Sequence, residues 1–280
     1  MDARQQALDW VIVDSDQLRE HLRQAEEAAR IAAEVLESWR GRFGVREKGR
    51  GDLVTEADHE AQAAIYDYLG KACPGFAFHG EEDAGQTSDP RQPGSPPTWI
   101  IDPIDGTINY VHDVPNYCVS IGLWDGQRLV VGVVYDPRAQ EMYSAAAGQG
   151  AMLNGQPIRV SGTDRLEQAL VSTGFSSKLE KVARNLKAWE HLTYHAQSLR
   201  RTGSTALNLA YVAAGRFDGY WAYDNHVWDV AGGFVLVQEA GGLVTRINGD
   251  PIDPFESDCV ATNGQFHAEL IAKLHEADKR

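Results

Sequence analysis

An apolar strand that runs directly into two aspartates, a proline and a glycine is the feature that most constrains the fold of this chain. The segment is Trp99-Ile100-Ile101-Asp102-Pro103-Ile104-Asp105-Gly106-Thr107. A turn can use Asp, Pro and Gly, but it does not require two carboxylates that converge at the end of a buried strand. Acidic oxygens on a stiffened loop suit hard divalent cations such as Mg²⁺. The segment therefore favours a metal site over a plain turn.

The rest of the chain predicts helices packed on more than one sheet, an α+β fold. Antiparallel strands are predicted at 99–101, 118–124 and 129–135, with a short hairpin around Asn154-Gly155. Helical patterns at 179–198, 205–214 and 230–240 then alternate with short strands near Tyr220, Leu243 and Val260.

Two helices are predicted in the N-terminal third. Between residues 16 and 40 an apolar residue recurs every three or four positions, which predicts an amphipathic helix. A second helix is predicted at 56–69, because Thr55 can cap it and Asp58 completes a capping-box spacing. The stretch 83–97 is rich in Pro, Gly, Ser and Asp and predicts an exposed loop.

Composition limits the classes of partner. The chain has 280 residues, with 40 acidic against 26 basic, a formal net charge of −14, which argues against nucleic acid or an anionic membrane. Cys73, Cys118 and Cys259 lie far apart without a C-x-x-C pair, so we expect reduced, buried thiols. The first 18 residues lack the apolar stretch of a signal peptide and no apolar run reaches membrane-spanning length, so we expect a cytoplasmic protein.

Two further acidic segments are informative because they occur in the same chain as the segment 99–107. Glu81 and Glu82 follow the apolar-aromatic stretch 76–78, and Asp229 precedes the helix predicted to begin at Val230. In isolation, the glutamates would be surface residues and Asp229 a helix cap. Their occurrence in one chain with the 99–107 segment favours a joint function.

In these segments the sequence resembles the inositol monophosphatase family, from about residue 48 to 273. The matching motifs are Asp52-Leu53-Val54-Thr55-Glu56-Ala57-Asp58, Gly80-Glu81-Glu82, 99–107 continuing into Asn109-Tyr110, and Trp228-Asp229-Val230-Ala231-Gly232-Gly233. The resemblance implies a layered α-β-α-β-α sandwich that forms a single unit. Its N-terminal part would span about 1–150 and its C-terminal part about 151–280, and the protein would assemble as a homodimer.

The resemblance also implies the chemistry. It assigns metal ligation to the side chains of Glu81, Asp102, Asp105 and Asp229 and to the carbonyl of Ile104. Glu81 is also counted among the catalytic residues, with Asp58 and Thr107, which would jointly orient and deprotonate the attacking water. The implied reaction is Mg²⁺-dependent hydrolysis of a small phosphate monoester, with sensitivity to lithium.

Substrate contacts are implied at two places. Asp105 and the backbone N–H groups of Gly106 and Thr107 would meet the substrate, and a glycine lets the main chain approach phosphate closely. The second place is Gly203-Ser204-Thr205, at the start of a predicted helix. For this segment a capping role is an equally weighted alternative.

Ala222 departs from the pattern of inositol-selective relatives, which carry a glutamate seven residues before the last metal aspartate. Asp224 or Asn225 could take over that role. The substrate therefore stays open among inositol monophosphate, histidinol phosphate, fructose bisphosphate, another sugar phosphate and phosphoadenosine phosphate. The stretch 47–51, which includes Lys48, resembles the mobile active-site loop of the family.

Three other interpretations carry less weight. A haloacid-dehalogenase-type nucleophile loop needs two aspartates separated by one residue, whereas two residues separate Asp102 and Asp105. His191 and His195 have a spacing that can ligate zinc, but no glutamate of the metalloprotease pattern lies between them, which favours surface histidines. A non-catalytic regulatory protein would be expected to lose at least one ligand, and none is missing.

Overall fold

The computed structural model describes residues 14–49, 52–83, 89–176, 179–256 and 258–279. Residues 50 and 51, at the end of the stretch 47–51 that resembles the mobile loop, lie outside this part of the chain, as do the side chain of Lys48 and residues 84–88 of the loop predicted at 83–97.

The described helices are α1 (Ser15–Trp39), α2 (Glu56–Ala72), α3 (Thr107–Val111), α4 (Leu179–Thr193), α5 (Thr205–Ala213), α6 (Val227–Glu239) and α7 (His267–Asp278). Helices α1, α2 and α5 confirm the predicted segments to within a few residues. No described helix has both the length and the apolar character needed to cross a membrane.

Two helix predictions need correction. Helix α4 ends at Thr193 rather than near residue 198, because Ser198 begins a strand that pairs with a neighbouring parallel strand. Helix α6 begins at Val227, so Asp229 is the third helical residue and not the cap. Its carboxylate accepts a hydrogen bond from the backbone N–H of His226, the residue that does cap the helix.

The strands form a hairpin and two sheets. The hairpin consists of β1 (Val45–Gly49) and β2 (Asp52–Thr55). The larger sheet has seven strands in chain order, namely β3 (Ala77–Gly80), β4 (Thr98–Asp105), β5 (Cys118–Trp124), β6 (Leu129–Asp136), β7 (Glu141–Ala146), β8 (Ala151–Leu153) and β9 (Gln156–Ile158). Its pairs are antiparallel except β3 with β4, and it extends past residue 150, where the sequence analysis ended the N-terminal part.

The smaller sheet has five strands in the order β11-β10-β12-β14-β13. Their bounds are β10 (Leu170–Thr173), β11 (Ser198–Arg200), β12 (Gly219–Ala222), β13 (Leu243–Thr245) and β14 (Cys259–Thr262). The strands near Tyr220, Leu243 and Val260 are confirmed. Strands β7 and β10 were not predicted, because they are almost completely buried and show no polar alternation.

Five layers follow from the packing, and the α-β-α-β-α sandwich is confirmed. Helices α1 and α2 cover one face of the larger sheet, α5 and α6 lie between the two sheets, and α4 and α7 cover the outer face of the smaller sheet. Separate apolar clusters fill the three main interfaces. The three cysteines are free and buried, as expected.

Close contact between α6 and the larger sheet depends on glycine. A Cβ on Gly132 would lie 2.3 Å from the carbonyl oxygen of Gly232, and a Cβ on Gly232 would lie 2.7 Å from the carbonyl oxygen of Val133. Any side chain at either position would push the helix off the sheet. This contact fixes the distance between the start of α6 and the end of β4.

His267, at the start of α7, predicts a pH dependence of stability. Its ring lies 2.8 Å from the hydroxyls of Thr245 and Thr262, and burial lowers its pKa to about 4. The folded state therefore holds a neutral imidazole, whereas the unfolded chain takes up a proton below about pH 6.5. Stability from this group is present above pH 6.5 and is lost as the pH falls towards 4.

We therefore expect the unfolding free energy of wild type, relative to His267→Gln, to decrease by about 2 kcal/mol between pH 7 and pH 4.5. Urea titrations of both proteins across this range measure it. A constant difference would show that His267 binds a proton equally well in the folded state.

Candidate active site

Strand β4 carries a bulge at the proline of the aspartate segment. Asp102 pairs with Ser120 and Asp105 with Cys118, so three steps on β4 match two on β5. Proline is tolerated inside a sheet mainly at such bulges, because it lacks the N–H of the ladder. Residues three apart normally face opposite sides of a strand, and the extra residue brings both carboxylates to the same side.

Asp102 lies at the centre of a group of carboxylates. It is almost fully buried, and its Oδ1 atom accepts a hydrogen bond from the backbone N–H of Ile104 at 3.0 Å. Burial raises the pKa of Asp102 well above its usual value, and the negative charges of Glu81, Asp105, Asp229 and Asp58 raise it further. The structure thus brings together all five acidic residues that the sequence analysis selected.

Each of these carboxylates comes from a different part of the fold. Glu81 follows β3, which runs parallel to β4, so both enter the site at the same edge of the sheet. Asp229 lies in the first turn of α6, which packs on the larger sheet. Asp58 lies in the first turn of α2, where it completes the predicted capping box.

The capping box fixes the position of Asp58. One carboxylate oxygen accepts hydrogen bonds from both the backbone N–H and the hydroxyl of Thr55, each at 2.7 Å. Thr55 in turn accepts from the N–H of Ala57 at 3.2 Å. A side chain held by two donors is oriented before any ligand arrives.

Asp105 is held from the other half of the chain. Its Oδ2 atom accepts hydrogen bonds from the hydroxyl of Ser204, at 2.7 Å, and from the backbone N–H of Ala206. These donors belong to the N-terminus of α5, where unpaired N–H groups and the helix dipole favour a negative charge. Burial raises the pKa of Asp105 to about 6, and the hydrogen bonds from Ser204 and Ala206 oppose the rise.

The residues after Asp105 turn sharply into α3. Gly106 has φ of 102°, in the left-handed region, and a Cβ there would lie 3.0 Å from the carbonyl oxygen of Asn116. The hydroxyl of Thr107 donates to the carbonyl of Ile104 at 3.0 Å. Ile104 and Thr107 therefore adjoin the aspartates, as the sequence analysis required of them.

Asn109 on α3 holds the loop that contains Gly203, Ser204 and Thr205 close to the aspartates. The Asn109 amide donates to the carbonyls of Asn116 and Thr202, at 2.6 and 3.0 Å. A Cβ on Gly203 would lie 2.8 Å from this amide. The loop before α5 is thereby attached to α3, next to Gly106 and Thr107.

The matched family model is described as the inositol monophosphatase family and covers residues 17–279 of this chain. The chain belongs to this family. It is therefore a phosphoric monoester hydrolase, and this family acts on small phosphate substrates and depends on metal ions.

Individual relatives agree with the family. The chain is 43% identical over 244 residues to an inositol-1-monophosphatase of Synechocystis sp., which covers 86% of this chain and 84% of the relative. It is 38% identical over 238 residues to a fructose-1,6-bisphosphatase/inositol-1-monophosphatase of Thermotoga maritima, with 84% and 88% covered. The solved structure of the extragenic suppressor protein suhB of Bartonella henselae superposes with a TM-score of 0.84 at 35% identity, covering 90% of this chain and 97% of that one.

The position where inositol-selective family members carry glutamate is apolar in this chain. Ala222, at the end of β12, is buried in the apolar cluster between the sheets. Asp224 accepts a hydrogen bond from the hydroxyl of Ser176 at 2.7 Å. Asn225 accepts one from Tyr220, whose hydroxyl lies 3.1 Å from that of Thr205. Asn225 therefore shares a chain of hydrogen bonds with Thr205 through Tyr220.

Sequence reasoning missed how this family's site is joined across the fold. The sequence alone is compatible with Ser204 as a substrate contact or as a helix cap. It does accept from the N–H of Leu207, at 3.2 Å, as an N-cap, and it also donates to Asp105. The contact with Asp105 spans 99 residues of sequence, so no local signal could have indicated it. The contact of Asn109 with Thr202 likewise spans 93 residues.

Removal of the Ser204 hydroxyl should raise the pKa of Asp105. In metal-free Ser204→Ala protein one donor to the carboxylate is lost, so its ionised form is less stable. We expect Asp105 to titrate above the wild-type value of about 6. Carboxyl-carbon NMR of the two proteins measures this. Ser204→Thr, which keeps a hydroxyl, should stay close to wild type, and an unchanged titration in Ser204→Ala would contradict the assignment.

Proposed function

We propose that this enzyme hydrolyses small sugar or polyol phosphate monoesters, inositol monophosphate among them, with Mg²⁺ as its metal. The observation that supports the proposal most is the crowding of four carboxylates around the buried Asp102. Buried like charges are costly unless a cation compensates them. Donors that are all oxygen atoms suit Mg²⁺ rather than softer metals.

The proposed ligands are Glu81, Asp102, the carbonyl of Ile104, Asp105 and Asp229. When bound, Mg²⁺ would polarise the phosphate and stabilise the leaving oxygen. A carboxylate can bind the metal through one oxygen and accept hydrogen bonds from the protein with the other. Asp105 is an example, because its Oδ2 atom accepts from Ser204 and Ala206.

Asp58 and Thr107 are the proposed residues for the attacking water. Thr55 holds one oxygen of Asp58 with two hydrogen bonds, which leaves the carboxylate oriented to accept a proton. Thr107 is held through its contact with Ile104. The backbone N–H groups of Gly106 and Thr107 are proposed to bind the phosphate, while Gly203, Ser204 and Thr205 would adjoin the alcohol portion of the substrate.

The two parts of the chain are proposed to act as one unit, because Asp105 belongs to the N-terminal part and its partners Ser204 and Ala206 to the C-terminal part. A homodimer and a cytoplasmic location are further proposals, based on the family. A purely regulatory role is the alternative. An assay of phosphate release separates the enzyme from the regulatory protein: the enzyme should release phosphate with Mg²⁺, lose this activity in EDTA and regain it when Mg²⁺ is added back.

Lithium should inhibit this phosphate release, as is general in the family.

Asp105→Asn should abolish turnover without loss of the fold. The substitution removes a proposed ligand charge, and we expect kcat to fall by at least about 100-fold. The metal-free variant should melt no lower than metal-free wild type, because one repelling charge is gone. Asp136→Asn is the control, since Asp136 is a buried aspartate that caps a turn. Near wild-type turnover in Asp105→Asn would place the metal elsewhere.

Selectivity for inositol phosphate should be weak in the wild-type protein. Tyr220 and Asn225 offer neutral hydrogen-bonding groups near Thr205 instead of a carboxylate. A hydrogen bond to a charged group contributes about 1.5–3 kcal/mol, which corresponds to roughly ten- to a hundredfold in binding. We expect sugar or polyol phosphates to be processed with kcat/KM comparable to or above that for inositol 1-phosphate.

Ala222→Glu should shift the preference towards inositol 1-phosphate, and Ala222→Gln should not, since it has the same shape without the charge. A panel of monoesters assayed on all three proteins gives the ratios of kcat/KM, and melting temperatures check that each variant folds. A wild-type preference for inositol phosphate by orders of magnitude would show that another group supplies the missing contact.

A further inference from the structure

His191, His195 and Glu276 form a cluster outside the catalytic site, called here the His-His-Glu cluster. Their potential ligand atoms all lie within 4.8 Å of one another. His191 lies in the last turn of α4, His195 lies in the turn that follows this helix, and Glu276 lies on α7, which packs against α4 in the outer layer. The catalytic carboxylates come from other elements of the fold.

His191 is not the surface residue that the sequence analysis favoured. Its side chain is only 3% exposed, and its Nε2 atom lies 3.1 Å from Oε2 of Glu276. The ring centroids of His191 and His195 are 4.4 Å apart. The chain turns after Thr193, with the N–H of His195 bonded to the carbonyl of Leu192 at 3.0 Å, and this turn brings the ring of His195 against that of His191.

The hydrogen bond of His195 fixes which nitrogen can bind a metal. Its Nδ1 atom lies 2.9 Å from the backbone carbonyl of His191. A carbonyl only accepts, so Nδ1 carries the proton and Nε2 of the neutral ring keeps its lone pair. A bond from the second ring nitrogen to a carbonyl is the usual support of a metal-binding histidine.

Glu276 supplies a negative charge to the cluster. Lys273 donates to its Oε2 atom at 2.9 Å, and the hydrogen bonds from Lys273 and His191 lower the pKa of Glu276. The carboxylate is exposed to solvent, whereas His195 is half-buried. The cluster therefore combines an ionised carboxylate with two imidazoles and is open on one side.

We propose that the His-His-Glu cluster binds a divalent transition metal ion of the zinc type. Tetrahedral Zn²⁺ takes imidazole nitrogen at about 2.0–2.1 Å and carboxylate oxygen at about 2.0–2.2 Å, and it accepts water as a fourth ligand. The ion would replace the proton between His191 and Glu276 and link α4 to α7. Nitrogen donors do not suit Mg²⁺, so this site and the catalytic site select different metals.

The test uses EDTA-dialysed Asp105→Asn protein, so that zinc binding at the catalytic carboxylates is weakened in every sample. Zinc binding is measured by competition with a chromophoric chelator, and Co²⁺ is added separately to record the visible spectrum of a site with imidazole ligands. Thermal melts with and without Zn²⁺ report the link between the helices. His195→Ala and Glu276→Gln are introduced separately, and His275→Ala is the matched control on α7.

We expect the Asp105→Asn parent protein to bind one zinc ion. His195→Ala and Glu276→Gln in this background should each bind zinc at least about tenfold more weakly. The zinc-dependent rise in melting temperature should be lost in the variants and kept in His275→Ala. When His195→Ala is introduced alone, into protein that keeps the native Asp105, Mg²⁺-dependent turnover should be retained. Equal zinc affinity in parent and both variants, or no zinc binding in the parent, would overturn the proposal.

Discussion

The structure depends on the concentration of negative charge around Asp102. A buried carboxylate next to four others is unfavourable in the protein alone, because burial and repulsion both oppose its ionised form. Folding therefore has to hold the group together by other means. The bulge at Pro103, the capping box of Asp58 and the N-terminus of α5 each fix one carboxylate through short contacts with the backbone.

Packing of the layers is what allows these fixed groups to meet. Helix α6 carries Asp229 and can reach the end of β4 only because Gly132 and Gly232 let the helix approach the sheet within contact distance. Helix α5 lies in the same layer and directs its N-terminus at Asp105. Without a metal ion this charge destabilises the fold, and a bound cation would neutralise it, so stability and metal binding are linked.

The outer layer shows a different donor chemistry. The proposed catalytic group consists of oxygen donors at the junction of the sheets and the central helices, whereas the His-His-Glu cluster joins nitrogen donors of α4 and the turn after it to a carboxylate of α7. Hard cations such as Mg²⁺ prefer the oxygen donors, and borderline cations such as Zn²⁺ prefer the set that includes imidazole nitrogen.

The sequence by itself determined whatever depends on local pattern. An apolar run before Asp102 predicted strand β4, the spacing of Thr55 and Asp58 predicted the capping box, and the order of motifs predicted the family and the layered sandwich. Only the tertiary structure decided that Ser204 donates to Asp105 and that His191 is buried against Glu276. These pairs are 99 and 85 residues apart in sequence, and their contact depends on how whole layers pack, which local periodicity does not encode.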